Sequence, residues 1–172
     1  MGVSFDTLLP VVRPLNRAAD HEIELVARRM RETLVDVLGR ERGESMYSLE
    51  WLRDRVRWHL DAEACKGDVL LAEHAGNIVG HTIVRVDLDD SARQIGLFST
   101  FWVEPTSRRR GIAEALLRSG EAWLAEQGMT TVCTNTAESN TRLLSLLEKH
   151  GYTLAFRAAE VSMVQMTKQL TG

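Results

Sequence analysis

Apolar and polar positions alternate along this chain in two rhythms, and the rhythm changes near residue 68. Val11, Val12 and Arg13 make a short extended run that Pro14 stops, which predicts a first strand. Asp20 follows as an N-cap, since its carboxylate can accept from the free amides that open a helix. Ile23, Val26, Ala27, Met30 and Leu34 then recur at helical spacing. The stretch 39–43, Gly-Arg-Glu-Arg-Gly, breaks this helix, and a second starts near Ser48 with Leu49, Leu52, Val56 and Leu60 on one face. Trp51 and Trp58 fall on that second helix as packing residues.

From Asp68 the pattern is that of strands. Val69 to Ala72 is a compact apolar run, Ala75-Gly76-Asn77 a turn, and residues 78–86 a β-branched run, together predicting a hairpin. Residues 88–93 form a polar loop and residues 95–103 a third long strand, so the middle of the chain is an antiparallel meander. A helix over about 110–127 carries Ile112, Leu116, Gly120 and Trp123 on its apolar stripe, and Gly128 stops it. Residues 130–136 are strand-like, and Ser139-Asn140 opens a helix with Leu143, Leu144, Leu146 and Leu147 inward. Gly151 closes that helix, and residues 152–156 and 161–166 predict two last strands. The result is a mixed α/β domain around one twisted sheet.

A length of 172 residues suits a single domain over 1–172. Hydrophobic residues at 44% and charged ones at 26% match an ordinary soluble domain. A net charge of −3 gives no broad attraction to nucleic acid or anionic membrane, so any basic site must be local. Cys65 and Cys133 stand far apart in no metal-ligand spacing, which predicts two reduced thiols and no metal. No apolar run reaches the roughly 18 residues of a membrane span. Residues 1–6 lack a signal peptide's charged and apolar regions, and Asp6 stands where a myristoylation site wants Ser or Thr. The expected location is cytoplasmic.

One segment carries chemistry: Phe101-Trp102-Val103-Glu104-Pro105-Thr106-Ser107-Arg108-Arg109-Arg110-Gly111-Ile112-Ala113. A strand ends, a basic loop follows, and a helix begins at a glycine with a small residue two places on. The first amides of a helix have no partners within it, and the macrodipole adds about half a positive charge there. Such an end binds phosphate, and Gly111 and Ala113 leave room for one to approach the backbone. The Gly-Lys-Ser/Thr ending of a P-loop and the glycine spacing of a dinucleotide fold are both absent. From this segment alone, a solvated helix cap or a small nucleic-acid patch stays open beside the phosphate site.

The wider pattern resembles the GNAT superfamily of N-acetyltransferases. Val103-x-Pro105-x-x-Arg108-x-x-Gly111-Ile112-Ala113 is similar to that family's acyl-CoA signature, and it lies between the expected strand and helix. A second match runs from Asn140 through Leu147-Glu148-Lys149-His150-Gly151-Tyr152. Val79-Gly80 and the opening Val11-Val12-Arg13-Pro14 also suit the family. The resemblance implies a GNAT-like fold: a twisted, mostly antiparallel sheet flanked by helices, with strands splayed at the acyl-CoA site. It implies acetyl-CoA as cosubstrate, without a metal, and direct transfer to a primary amine of a small molecule or peptide, in a monomer or homodimer that engages neither nucleic acid nor membrane. Amides of Arg109, Arg110, Gly111, Ile112 and Ala113 would bind the pyrophosphate, with Arg108 at the loop's entry. Backbone groups of Phe101 and Val103 would pair with the pantetheine arm, and Asn140 would contact that arm or cap the last helix.

Two of the family's usual catalytic groups are missing. Leu147 stands where a tyrosine often protonates the departing thiolate, and Leu97 where a glutamate often serves as base. Ser99 and His81 are the nearby polar candidates, each equally readable as a structural hydrogen-bonding residue. The acceptor side is almost silent: residues 39–47 and 157–160 would rim it. A protein that keeps the cofactor groove and loses turnover, an acyl-CoA sensor or interaction module, is the alternative.

Overall fold

The computed structural model describes residues 9–171. The N-terminal stretch read above for targeting signals lies outside them. The order of elements is β1 (Val11–Pro14), α1 (Asp20–Leu38), α2 (Arg40–Met46), α3 (Leu49–Leu60), β2 (Gly67–His74), β3 (Asn77–Leu88) and β4 (Gln94–Val103). After a 3-10 turn come α4 (Ile112–Glu126), β5 (Thr131–Ala137), α5 (Thr141–Lys149), β6 (Thr153–Ala158) and β7 (Met163–Gln169). The strands form one seven-stranded sheet in the order β1-β2-β3-β4-β5-β7-β6. Every neighbouring pair is antiparallel except β4 and β5, so the mixed, mostly antiparallel sheet expected from the sequence is present.

The two faces of the sheet bury two separate cores. Leu116, Leu117 and Leu124 of α4 and Leu147 of α5 pack with Phe98, Val132 and Met166 on one face. On the other, Ile23, Val26 and Ala27 of α1 and Leu52 and Val56 of α3 cover Val69, Leu71 and Ile83. The helical stripes read in the sequence are the faces that do this. Gly120 has a structural reason to be glycine, because a methyl group there would overlap the Phe98 ring.

Three local expectations are corrected. Asp20 does not cap α1; it lies in the first turn, the cap residue is Ala19, and no side chain caps the end. The start is instead tied down by Glu22, which is buried and accepts from the Asn16 amide at 2.8 Å and from both Nη atoms of Arg13 at 3.0 and 2.7 Å. These bonds hold its carboxyl below the usual range. Gly39 breaks the helix with φ 86°, but Arg40 to Met46 resume as α2, with Gly43 against the Val35 backbone. Finally, Trp51 is not a core residue: it is 44% exposed and stacks on Tyr47 at 4.1 Å between ring centres.

Candidate functional site

The parting of two strands organises the site. β4 pairs with β3 along its whole length but with β5 only at Gly96, Leu97 and Phe98. Ser99 is a bulge, since Ile83 faces Thr100 while its neighbour Val84 faces Phe98. A bulge bends its strand and increases local twist, which carries β4 away from β5 at this point. The Thr134 hydroxyl donates to the Phe98 carbonyl at 3.1 Å, closing the pairing. Beyond it, Ser99 to Val103 have no strand on their β5 side. A strand edge inside a cleft is a template for an extended chain, because its backbone groups recur at regular spacing. Phe101 and Val103, both half-buried, lie on this stretch, and the Phe101 ring stacks on Phe98 at 4.9 Å.

The stretch leads into the basic loop. Pro105 to Ser107 make the 3-10 turn, Arg109 takes φ 66° and Gly111 φ 76° before α4 begins at Ile112. The helix therefore starts two residues later than its sequence pattern implies, because a left-handed Gly111 is its cap. No side chain caps that end. Left-handed residues interleaved with ordinary ones turn successive amides toward one concavity, a nest for anions. A Cβ at Gly111 would meet no protein atom within 4 Å, so the backbone angle, rather than crowding, selects glycine there. Arg108, Arg109 and Arg110 are exposed around this concavity, and Nε of Arg108 donates to the Val103 carbonyl at 3.4 Å. An open cleft of about 850 Å³ adjoins the loop on the α1 side, lined in part by Arg29, Asn77, Glu104, Ser107 and Arg110.

Across the gap, Asn140 caps α5: its Oδ1 accepts from the Leu143 amide at 3.4 Å and its Nδ2 donates to Thr136 Oγ1 at 3.2 Å. The capping role is thus present. Leu147 is fully buried in the main core. Leu97, nearly buried, faces Arg85 across the β3–β4 pair.

Ser99 shares the Leu97 side of the sheet, and a polar cluster surrounds it. Nη1 of Arg85 donates to Ser99 Oγ at 3.1 Å and lies 3.3 Å from His59 Nε2. Nε and Nη2 of the same guanidinium donate to Asp87 Oδ2 at 3.2 and 3.0 Å. His59 Nδ1 is 2.8 Å from the Arg55 carbonyl, which can only accept, so Nδ1 carries the proton and Nε2 accepts from Arg85. His81 lies on the same face, four residues from Arg85 along β3. It is fully buried, stacks on Trp102 at 6.3 Å, and neither ring nitrogen has a hydrogen-bond partner. The Arg29 guanidinium covers the Trp102 ring at 4.0 Å.

Burial holds the His81 imidazole down to about 3 and that of His59 to about 4. In the unfolded chain both titrate near 6.5. Below about pH 6.5 the unfolded chain therefore binds more protons than the folded one, and this contribution to stability is lost as pH falls toward 4. Calorimetric melting temperatures are expected to drop across that window, and to drop less in His81→Leu. Parallel profiles for the two proteins would mean that His81 protonates freely in the folded chain.

Arg85, His59 and Asp87 escaped the sequence reading. No spacing in the chain announces that Arg85 and Ser99 meet. The only signal available was parity, since His81, Ile83 and Arg85 alternate on one face. Among the described residues no group of three His, Cys, Asp or Glu is gathered as metal ligands.

Comparison with known proteins adds to this geometry. Residues 28–152 match the acetyltransferase (GNAT) family. The chain is similar to the mycothiol acetyltransferase of Salinispora tropica, with 30% identity over 87 residues. That match covers 50% of this chain and 28% of the relative, so the chain spans well under half of that relative's length. Among solved structures, the NatC complex bound to Gag peptide and CoA contains a similar chain, with TM-score 0.73 and 18% identity over 95% of this chain and 100% of that one. The PaiA N-acetyltransferase of Thermoplasma acidophilum, in complex with coenzyme A, has TM-score 0.66 and 15% identity over 95% and 100%.

Proposed function

The chain belongs to the GNAT acetyltransferase family, and from that premise we propose that it transfers an acetyl group from acetyl-CoA to a primary amine of a small molecule or peptide. The observation that carries this reading is the open edge of β4 beyond Phe98 leading directly into the uncapped start of α4. The residues fit the cosubstrate in chemistry. Amides of Arg109 to Ala113 would take the pyrophosphate, aided by the charges of Arg108 to Arg110. Phe101 and Val103 would pair with the amides of the pantetheine arm, and Asn140 would meet it from α5. The thioester would then come near Ser99, where the strands separate.

Transfer is by direct attack. The amine nitrogen bonds to the thioester carbonyl carbon, the carbon–sulfur bond breaks, and the proton lost by nitrogen ends on sulfur. A thiol's reference pKa near 8.5 makes its thiolate a tolerable leaving group, so the leucine at position 147 does not stop the reaction. Aligning amine and thioester can itself lower the barrier by roughly 7–11 kcal/mol. Because Leu147 is enclosed, Leu147→Tyr is expected to overpack the core and lower stability by about 1–3 kcal/mol, read by urea denaturation. A tyrosine variant as stable as the parent, and faster than Leu147→Phe, would show that the position opens toward the sulfur.

No acyl-enzyme takes part. Cys133 is buried and its Sγ donates to Thr167 Oγ1 at 3.5 Å, a hydroxyl and not a base; among the described residues no His, Asp or Glu is hydrogen-bonded to it. Mass spectrometry after incubation with acetyl-CoA alone should show unmodified protein; a stoichiometric adduct lost in Cys133→Ala would overturn direct attack. The proposal as a whole is tested by calorimetry with acetyl-CoA, followed by a panel of amines, amino acids and peptides with a thiol-detecting reagent. Binding with acceptor-dependent thiol release is expected. Tight binding with silence across the panel would favour the sensor, and no binding would remove both readings.

A further inference from the structure

The Arg85 guanidinium is used almost completely. Of its five N–H donors, two go to Asp87, one to His59 Nε2 and one to Ser99 Oγ. Its side chain is 19% exposed and His59 is buried, so the bond between them forms largely out of water, where a charge-assisted bond is stronger than at the surface, while Asp87 is half-exposed. His59 is fixed as an acceptor by the Arg55 carbonyl on its other nitrogen, which locks the orientation of the guanidinium from behind. Asp87 locks it from the side. Of the two N–H bonds left, one is directed at the oxygen of a bulged serine, at the residue where β4 leaves β5.

A serine hydroxyl has one proton to give and two lone pairs to offer. Here a fixed cation occupies one lone pair. Among the described residues, no acceptor is hydrogen-bonded to the Ser99 proton. We propose that Arg85 is the positioning residue for the acetyl-transfer reaction, committing the Ser99 hydroxyl to donate to the thioester oxygen where β4 and β5 separate. Ser99 is then not a base. It is a donor, polarised by the guanidinium behind it and held by the bulge. As the amine bonds to the carbonyl carbon, the carbon–oxygen π electrons move onto oxygen and the Ser99 bond to that oxygen strengthens. As the carbonyl re-forms, the electron pair of the carbon–sulfur bond leaves with sulfur. The serine proton never transfers. Preorganised donors of this kind act where charge develops and need little reorganisation during reaction.

The inference rests on the acetyl-CoA reading, and its test is chosen so that the two fail separately. Calorimetry first measures acetyl-CoA binding to the parent protein, Ser99→Ala, Arg85→Gln and Arg85→Lys, with melting temperatures recorded for each. Isotope-edited infrared spectroscopy then reads the carbonyl stretch of carbonyl-labelled acetyl-CoA in each complex, which needs no acceptor. The parent complex should show the lowest wavenumber. Ser99→Ala should shift the band upward, Arg85→Gln should shift it in the same direction, and Arg85→Lys should recover part of the difference. Arg85→Gln should add no shift in the Ser99→Ala background. With an acceptor in hand, Ser99→Ala should lose about 10²-fold in kcat with KM for acetyl-CoA unchanged. Arg85→Gln should lose less, and nothing further in that background. One carbonyl frequency in all complexes, or an Arg85→Gln shift that persists without Ser99, overturns the inference while leaving the cofactor reading intact. If the parent protein binds no acetyl-CoA, both fall at the calorimetric step.

Discussion

Gly111→Glu is expected to abolish coenzyme A binding while the protein stays folded. Gly111 has φ 76°, and a Cβ there points into open space. Within the protein the substitution therefore costs backbone strain only, about 1–2 kcal/mol for an L residue in the left-handed region. The new carboxylate sits beside the positive end of α4, which returns roughly 0.3–1 kcal/mol. The melting temperature should consequently fall by a few degrees at most. Binding is affected far more. The glutamate competes for the same amides that a pyrophosphate needs and adds a like charge beside it. Charge-assisted hydrogen bonds contribute about 1.5–3 kcal/mol each, so losing two of them alone weakens affinity by roughly 10²-fold or more. Gly111→Ala, with the same strain and no charge, separates the causes and should stay within about tenfold of the parent. Calorimetric titration of all three proteins decides the matter. An unchanged affinity in the glutamate variant would mean that the pyrophosphate lies elsewhere.

The second large effect concerns stability. Gly120 sits in the middle of α4, buried, with Phe98 directly opposite and Val84 Cγ1 at 3.1 Å from where a Cβ would be. Phe98 is almost wholly enclosed and cannot swing into solvent. Gly120→Ala gains the better helix former, worth about 1 kcal/mol, yet overpacking of a closed core costs typically 1–3 kcal/mol, occasionally more. With the methyl group well inside contact distance of a ring carbon of Phe98, the clash is expected to win, with a net loss of up to about 2 kcal/mol by urea denaturation. Phe98→Leu in the same chain removes ring atoms from the overlap, so the double variant should lose less than the two single losses added together. Strict additivity would show that α4 shifts as a body and that the ring is not what resists the methyl group. Because Phe98 is the last β4 residue paired with β5, the alanine variant should also weaken coenzyme A binding.

What could be read from the chain follows from which forces are local. The basic loop between a strand and a helix was visible because helix ends, glycines and charge are properties of neighbouring residues. The order of strands and helices was visible because apolar spacing reports one buried face at a time. The reason for Gly111 was only half visible: openness to a ligand was expected, and the left-handed backbone is what the structure adds. The helix Arg40 to Met46 was hidden by Gly39 before it and Gly43 within it, since propensity argues against a helix that packing against α1 nonetheless holds. The meeting of Arg85 with Ser99 was invisible. It depends on a one-residue bulge in β4, and a register shift of one residue reverses every side chain beyond it. The enclosure of Leu147 could not be known either, because a leucine stripe does not say which member lies deepest.

The single parallel seam of the sheet has a consequence for how the chain is made. Strands β1 to β4 with α1 to α4 are contiguous in sequence, and so are β5, α5, β6 and β7. During synthesis from the N-terminus, the whole larger part is made, and its first elements have emerged, before β5 can emerge. The core beneath α1 and α3 can close at that stage, since all its buried members lie between Leu15 and Ile83. The core under α4 cannot, because Val132, Leu147, Tyr152 and Met166 have yet to arrive. For that interval α4 has half a bed, and β4 offers a bare edge along its full length to any other nascent chain. The three residue pairs with β5 therefore do more than shape a cleft in the finished protein: they mark when a growing polypeptide stops being a hazard to its neighbours.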